Sequence, residues 1–427
     1  MDYNNEMENF KPYKKESVFK KHGFLMGVLS TLLCVVLVCG LVFGLLNATG
    51  QILVIGQTGA STVEGEALLS EETVEKLDEI YQNINIYYYE DFEKTDLEES
   101  LYKGLVEGLN DPYSVYYTEE EYEDLMVSTT GTYYGIGAGL SQNLDTMVVT
   151  ITKVYRGTPA EEAGLKNGDI ILAVDEWDAT SMEVSKLVQH IRGEAGTTVH
   201  MTIYRESTGE TLEFDVERRH VELPSIEGEM LEGGIGYIQI TEFQSKTDEQ
   251  FEEMLESFRT QGMNGLIVDV RANPGGLLSS VVNLCDYILP QGLVVYIEDT
   301  FGNKEEYNSD KRCIDIPMVV LIDENSASAS EIFAAAMKDY QYATLVGKTT
   351  YGKGIVQNII PLDDGDALKL TTAKYFTPNG NYIHEVGVSP DVEIDYEYTG
   401  PDDATYDKQY DSQFLKAVEV MQGMLAK

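Results

Sequence analysis

Histidine, cysteine and basic residues are all in short supply in this chain. The five histidines are scattered: His22, His190, His200, His220 and His384. None lies in a metal-ligand spacing or beside a G-x-S-x-G elbow, so neither a histidine metal site nor a hydrolase elbow is indicated. Of four cysteines, Cys34 and Cys39 fall in an apolar run, leaving Cys285 and Cys313. No CxxC or Cys/His cluster exists, which excludes a structural zinc and a disulfide scaffold but leaves a single Cys285–Cys313 bond open. Thirty basic residues face 73 acidic ones, a net charge of −43. Such an acidic chain is a poor partner for nucleic acid or for an anionic membrane surface. No repeat of fixed period and no low-complexity tract occurs.

One long apolar run is present. Phe24 to Leu46 holds no charge over 23 residues, about 34 Å as a helix and enough to span a bilayer. Lys11, Lys14, Lys15, Lys20 and Lys21 precede it, so positive-inside logic puts residues 1–23 in the cytoplasm and the rest outside. A cleaved signal peptide is the rival. The run is long for one, and Leu46-Asn47-Ala48 lacks a small-x-small site, which favours a retained anchor. Gly40 and Gly44 form one GxxxG, a weak hint of anchor packing.

The outer part, about 380 residues, is too long for one ordinary core. Leu68 to Ile84 carries apolar residues at helical spacing, and a helix is expected near Asp96–Leu109 with Thr95 as N-cap and Glu98 closing a capping box. Glu119–Met126 reads as a short acidic helix. From Tyr133 short strands and two helices make a small, mostly β module. Beyond Leu223 strands and helices alternate, the rhythm of an α/β layer fold, and Asp411–Leu425 reads as a closing helix. The divisions expected are tail 1–23, anchor 24–46, linker and helical segment 47–127, β module 128–222, α/β core 223–398, and final linker and helix 399–427.

Three motifs carry chemistry. The glycine turn Gly135-Ile136-Gly137-Ala138 fails as a dinucleotide fingerprint because Leu140 stands where the third glycine would be. It could aim the N–H groups of Ile136, Gly137 and Ala138 at a carboxylate, with a peptide added as a strand along Gly139–Gln142; alone, an ordinary turn explains it as well. Gly347 to Lys353 meets the spacing of a phosphate loop, yet Gly354 replaces the magnesium-binding Ser or Thr. The run Asn325-Ser326-Ala327-Ser328-Ala329-Ser330-Glu331 opens an apolar helix, and Lys353 follows between two glycines. A serine at a helix start needs a base, and lysine can be one only when desolvated enough to lose its proton. Tyr351, Ile355, Val356 and Ile359 suit that, and uncharged Gln357 could orient the amine. Ala329 N–H and an amide of Asn273-Pro274-Gly275-Gly276 are candidate oxyanion donors. A Ser328–His384 pair stays open on sequence alone.

Asp111-Pro112-Tyr113-Ser114, the Gly135–Ala138 turn, Asp269-Val270-Arg271-Ala272-Asn273-Pro274-Gly275-Gly276, Ser326 to Ile332 and Gly352-Lys353-Gly354-x-x-Gln357 occur in this order over roughly residues 70–425. Together they resemble the carboxyl-terminal processing peptidases, the S41 family. The resemblance implies a multidomain chain: N-terminal transmembrane helix, helical N-terminal segment, small mostly β PDZ domain and α/β serine protease core. It implies Ser328 as nucleophile, Lys353 as base, Gln357 as its orienting group, and a PDZ domain that holds substrate C-termini and in some members gates the site. The activity expected is that of a membrane-anchored extracytoplasmic serine endopeptidase, without cofactor or metal, acting on proteins or peptides with free C-termini and not on nucleic acid. A homodimer is plausible from the resemblance and the apolar helix faces. The alternatives are a PDZ-bearing scaffold with a silent dyad and, more remotely, a nucleotide hydrolase.

Overall fold

The computed structural model describes residues 69–401 and 406–426. The tail and anchor expected at 1–46, and the first part of the segment 47–127, lie outside the described residues. Among the described residues no helix is long and apolar enough to cross a membrane. Two compact units divide at Asp91. In the first, the helix Glu71–Tyr87 starts at Ser70, whose hydroxyl accepts the Thr73 N–H, a standard N-cap.

The second unit begins with the helix Lys94–Glu107. Thr95 is not its N-cap: Glu93 is, without a side-chain bond, and the first turn is braced instead by Lys94 and Glu98 at 2.7 Å. Sequence placed the cap on the hydroxyl residue; the chain turns helical before reaching it. A true capping box sits further on. Thr118 Oγ1 accepts from Glu121 N–H, Glu121 accepts from Thr118 N–H, and the helix Glu119–Thr130 ends at left-handed Gly131.

The β module is an insertion. Its entry strand Thr132–Gly135 pairs with its exit strand Arg219–Glu222, so the chain leaves and re-enters the core at one place. Inside, a sheet runs in the order Ala138–Gln142, Val149–Val154, Asp169–Val174, Thr198–Arg205, Glu210–Glu217. The helices Pro159–Ala163 and Val184–Ile191 close it. The second is shorter than the Ser181–Arg192 expected from sequence. The inward residues alternate along the strands, as in Val149 and Ile151 or Val199, Met201 and Ile203, and are all fully buried, the period-2 pattern of a half-buried sheet.

The core is a six-stranded sheet. In order it holds Ile226–Leu231, Ile235–Ile240, Gly265–Asp269, Met318–Ile322, Thr344–Gly347 and Val392–Glu393; all pairings but the first are parallel. Both faces are covered. Leu266, Val268, Met318, Val320 and Ile322 pack under the helices Thr247–Thr260, Leu278–Ile288 and Ala329–Asp339. Ile267, Val319, Leu321 and Val346 meet Phe414, Ala417 and Met421 of the helix Ser412–Leu425. Continuous apolar runs such as Met318-Val319-Val320-Leu321-Ile322 follow from burial on two sides.

A second sheet, not foreseen, joins Val115–Tyr117, Ile355–Pro361, Ala367–Phe376, Gly292–Asp299 and Lys304–Ser309. Of these the sequence marks as strands only Leu293–Ile297 and Leu368–Tyr375, which lie within Gly292–Asp299 and Ala367–Phe376. Lys-Glu-Glu-Tyr-Asn-Ser is an edge strand too polar to announce itself. Cys285 and Cys313 are both free, so the disulfide left open by sequence is not formed.

The closing helix is locked by ions. Arg271 reaches Asp269 at 2.7 Å and Asp411 at 2.8 Å, with Gln413 at 3.0 Å. Both carboxylates are 1 % exposed. Asp411 also caps the helix through the Gln413 and Phe414 N–H groups. Arg271→Met leaves two buried carboxylates without their cation, and should cost about 3–5 kcal/mol. Denaturant unfolding of the variant measures this; a loss below about 1 kcal/mol would refute the lock.

Candidate active site

Three adjacent parallel strands, Gly265–Asp269, Met318–Ile322 and Thr344–Gly347, end side by side. Their following loops therefore meet at the carboxyl edge of the sheet, where open α/β sheets place their sites. The first loop carries Asn273 to Gly276, the second Ser326 to Glu331, the third Thr349 to Gly354.

The first two loops are stitched by backbone carbonyls. Asn273 O accepts the Ala327 N–H and the Ser330 hydroxyl, both at 3.0 Å, and Val270 O accepts the Ser326 hydroxyl at 2.7 Å. Two of the three serines thus spend their hydroxyls on structure, and both are fully buried. Ser328 differs: it is half-buried, and with Glu331, three residues on, it forms the capping box of the helix Ala329–Asp339. Its backbone stands at φ 54°, ψ −115°, a conformation costing about 1–3 kcal/mol in a non-glycine residue. No feature of the sequence announced that backbone conformation.

Glu331 joins the second loop to the third. It is wholly buried. One oxygen accepts the Ser328 N–H at 2.9 Å and the Lys353 N–H at 2.7 Å; the other accepts the Thr350 hydroxyl at 2.6 Å and the Gly352 N–H at 2.7 Å. Four donors converge on one acceptor-only side chain. The sequence analysis passed over Glu331 as a role, although its place three residues after Ser328 was the available signal. The same bonds exclude the phosphate-loop reading, because the Gly352 and Lys353 amides that would cradle a phosphate are already taken.

Lys353 is partly buried. Its ammonium lies 4.6 Å from the centre of the Tyr113 ring. Burial lowers its pKa, helped by the charge of Lys369 and opposed by Asp111 and Glu331. Tyr113 in turn hydrogen-bonds the Tyr351 hydroxyl at 3.3 Å, and that bond, with burial, pushes it up to about 12. Asp111 accepts the Ser114 hydroxyl at 2.6 Å and the Tyr113 N–H at 3.0 Å. Burial works against its charge, but these bonds and Thr371 hold its pKa below the usual value. The Asp111–Ser114 turn, quoted in sequence only as part of a resemblance, is therefore part of the lysine's surroundings.

The remaining candidates divide. Gln357 does not touch Lys353; its amide donates to Thr371 Oγ1 at 3.3 Å. His384 does not pair with Ser328: its Nδ1 accepts the Gly354 N–H at 3.3 Å, on the lysine side. Gly275 packs so closely that a Cβ there would stand 2.8 Å from Ser328 Cβ and 2.9 Å from Ala329 N. Its N–H is occupied by Asn273 Oδ1 at 2.8 Å. Ala329 follows Ser328 directly in the chain, and Gly276 lies against Phe243, where a Cβ would stand 2.2 Å from Phe243 O. The Gly135–Ala138 turn lies in the β module. Gly137 has φ 82°, and a Cβ on it would fall 2.3 Å from Thr158 Cβ, so any side chain would displace the turn.

Glu331→Gln places an NH₂ group against two N–H donors. It should cost about 2–4 kcal/mol in denaturant unfolding, since two or more buried donors lose their acceptor. A neutral result would mean that the two loops are held by packing instead.

Models of known families match three stretches: peptidase family S41 over residues 234–394, the PDZ domain over 125–204, and the activating protease CtpB N-terminal domain over 46–121. The carboxy-terminal processing protease CtpA of Bacillus subtilis (strain 168) is 33 % identical over 349 residues, 81 % of this chain and 73 % of that protein. CtpB of the same organism is 34 % identical over 341 residues, 78 % of this chain and 70 % of that one. Among solved structures, the photosystem II D1 C-terminal processing protease is 28 % identical, covering 75 % of this chain and 86 % of that one, with a TM-score of 0.43. On the identity and coverage shared with CtpA and CtpB, this chain belongs to the carboxy-terminal processing proteases of serine peptidase family S41.

Proposed function

We propose that Ser328 and Lys353 form the catalytic dyad, on an endopeptidase that cleaves proteins near their C-termini under control of the PDZ domain. One observation carries it. Of three clustered serines, Ser326 and Ser330 are buried with their hydroxyls on backbone carbonyls while Ser328 is half-buried at the helix start, and Glu331 binds its amide and that of Lys353 with a single oxygen. In the reaction the neutral Lys353 amine takes the Ser328 proton as Oγ bonds to the scissile carbonyl carbon. The resulting ammonium returns the proton to the leaving amine, giving an acyl-enzyme, and water activated by the same amine releases the acid. The Ala329 and Gly276 amides receive the oxyanion. In this reading Lys353, now over the Tyr113 ring, leaves it to reach Ser328. Gln357 acts as a positioning residue through Thr371 and Asp111.

The setting belongs to the same proposal. Phe24–Leu46 anchors the chain, residues 1–23 stay in the cytoplasm, and the catalytic part stands outside. Two copies pair through their helices as a homodimer. The PDZ loop, Gly135 to Ala138, receives a free substrate C-terminus. Its edge strand Ala138–Gln142 has one sheet neighbour, Val149–Val154, which leaves its other edge open to an added strand.

Ser328→Ala should abolish cleavage of an unfolded protein at unchanged stability, whereas Ser326→Ala and Ser330→Ala should mainly lower stability. If Ser328→Ala cleaved at the normal rate, the dyad would be wrong; if the parent chain cleaved nothing but bound tails, the scaffold reading would replace it.

Only the unprotonated lysine accepts the serine proton, so the rate should rise with pH through the lowered Lys353 pKa and level off above it. The midpoint should lie below the ordinary lysine value, because burial is the leading cause of the shift. Lys353→Arg should inactivate, arginine being unable to lose its proton. A single-turnover pH profile tests both, and a flat profile or an active arginine variant would count against Lys353 as base.

A further inference from the structure

Ser328 O and the Ala329 N–H belong to one peptide unit. In a trans peptide the two point in opposite directions, so whatever fixes the carbonyl also aims the amide. Ser328 O accepts the Glu331 N–H at 2.8 Å and the Ile332 N–H at 3.0 Å, the first bonds of the helix Ala329–Asp339. A third donor comes from the second sheet: the Tyr375 hydroxyl reaches the same oxygen at 3.2 Å. Tyr375 is 1 % exposed. It sits on the strand Ala367–Phe376, opposite Ile297 of Gly292–Asp299. Burial pushes its pKa well above the usual tyrosine value, and the Glu331 charge adds to that, so the phenol keeps the proton it donates. Its backbone N–H donates to Gly354 O at 3.1 Å, one residue beyond Lys353. One residue therefore touches both the nucleophile's peptide and the lysine loop.

We propose that Tyr375 is a positioning residue for the oxyanion site: its hydroxyl fixes the Ser328–Ala329 peptide so that the Ala329 N–H faces the developing oxyanion. This rests on the dyad reading given above. Two observations separate the bond from an ordinary core hydrogen bond. The first is the backbone it holds. An N-cap residue normally has extended backbone, but Ser328 stands at φ 54°, ψ −115°. Such a conformation persists only where its surroundings over-determine it, and Tyr375 supplies a constraint from outside the helix. The second is Gly275, where a Cβ would stand 2.9 Å from Ala329 N; a side chain at that position would crowd the amide. A peptide whose carbonyl accepts a further hydrogen bond is also more polarised, which makes its N–H the better donor. The hydroxyl thus acts on charge that develops in the transition state, and contributes to kcat rather than to substrate binding.

Tyr375→Phe in the full chain keeps the ring and the backbone bond to Gly354 and removes only the oxygen. Tyr340→Phe is the control. Tyr340 caps the other end of the same helix, and its hydroxyl donates to Leu293 O at 3.0 Å, so each variant deletes one tyrosine–carbonyl bond between that helix and the second sheet. Initial rates on labelled casein, an unfolded protein, give kcat and KM, and thermal melts give stability. Tyr375→Phe should lower kcat about tenfold, the equivalent of one hydrogen bond, and leave KM where it is. Tyr340→Phe should lose a similar amount of stability and keep its kcat. The midpoint of the pH–rate profile should be the same in all three chains, because Lys353 keeps its surroundings. An unchanged kcat in Tyr375→Phe, an equal loss in Tyr340→Phe, a loss carried by KM or a moved midpoint would each overturn the positioning role. So would a Tyr375→Phe chain that no longer melts cooperatively, since the hydroxyl would then serve the fold alone. Ser328→Ala separates the two readings. If it cleaves casein like the parent, or the parent cleaves nothing, the dyad reading falls and takes this role with it; if it is inactive and Tyr375→Phe is not slowed, only the positioning role falls.

Discussion

A buried carboxylate without a cationic hydrogen-bond partner holds this site together. Glu331 accepts four hydrogen bonds, two from the amides of Ser328 and Lys353 and two from Thr350 and Gly352. A buried charge is tolerable only when its acceptor sites are filled, so the nucleophile loop and the lysine loop can keep their shapes only together. The first carries unfavourable backbone, Ser328 at φ 54°, and the second turns through Gly352 at φ 90°, which glycine adopts freely. The four bonds offset that strain. The sheet does the rest, since parallel neighbours deliver the ends of Gly265–Asp269, Met318–Ile322 and Thr344–Gly347 to one edge, with Asn273 locking the first loop to the second.

The ion pairs of the opposite face do a different task. Arg271 starts two residues beyond Asp269, at the end of a catalytic-edge strand, yet its guanidinium points to Asp411 and the closing helix. The loop that supplies the Gly276 amide is thus fixed from below by the chain's last element. Tyr237 and Tyr406 add hydroxyls to the same two carboxylates, at 2.9 Å and 2.6 Å. The loop Asn273–Gly276 therefore depends on a helix that begins about 140 residues later in the chain, a coupling invisible in any local motif.

Much of this was legible because the parallel sheet is buried on both faces. Runs such as Leu266-Ile267-Val268 and Val319-Val320-Leu321 admit no other reading once helices alternate with them. The sequence also marks out Ser328 and Lys353 as candidates, from small residues at a helix start and a lysine among apolar neighbours, and Glu331 accepts from the backbone amides of both. What escaped reading was set by tertiary contacts. Lys304–Ser309 is a strand because Gly292–Asp299 offers it an edge, not because its residues favour one. Glu331 stands in the sequence only as the end of the serine run, and its bonds to the third loop needed the fold. Gln357 was expected at the lysine and sits on Thr371 instead, one strand across. Thr95 had the chemistry of a cap but not the position.

In the proposed dyad, the lysine environment would hold the base ready but idle. Burial and Lys369 push Lys353 toward the neutral form, while Asp111 and Glu331 favour the charged one. The Tyr113 ring adds to the second group, because a π face attracts an ammonium and not an amine. Tyr113 is itself fixed by the Tyr351 hydroxyl, and its turn by Asp111 and Ser114. Leaving that ring removes one stabiliser of the charge at the moment the amine approaches Ser328. The move that brings the base to the nucleophile thus also helps to strip its proton. The rest of the molecule has only to bias that rotation, and the Ser114 hydroxyl, which accepts the Thr371 amide at 3.1 Å, ties the Tyr113 turn to the strand Ala367–Phe376 beneath it.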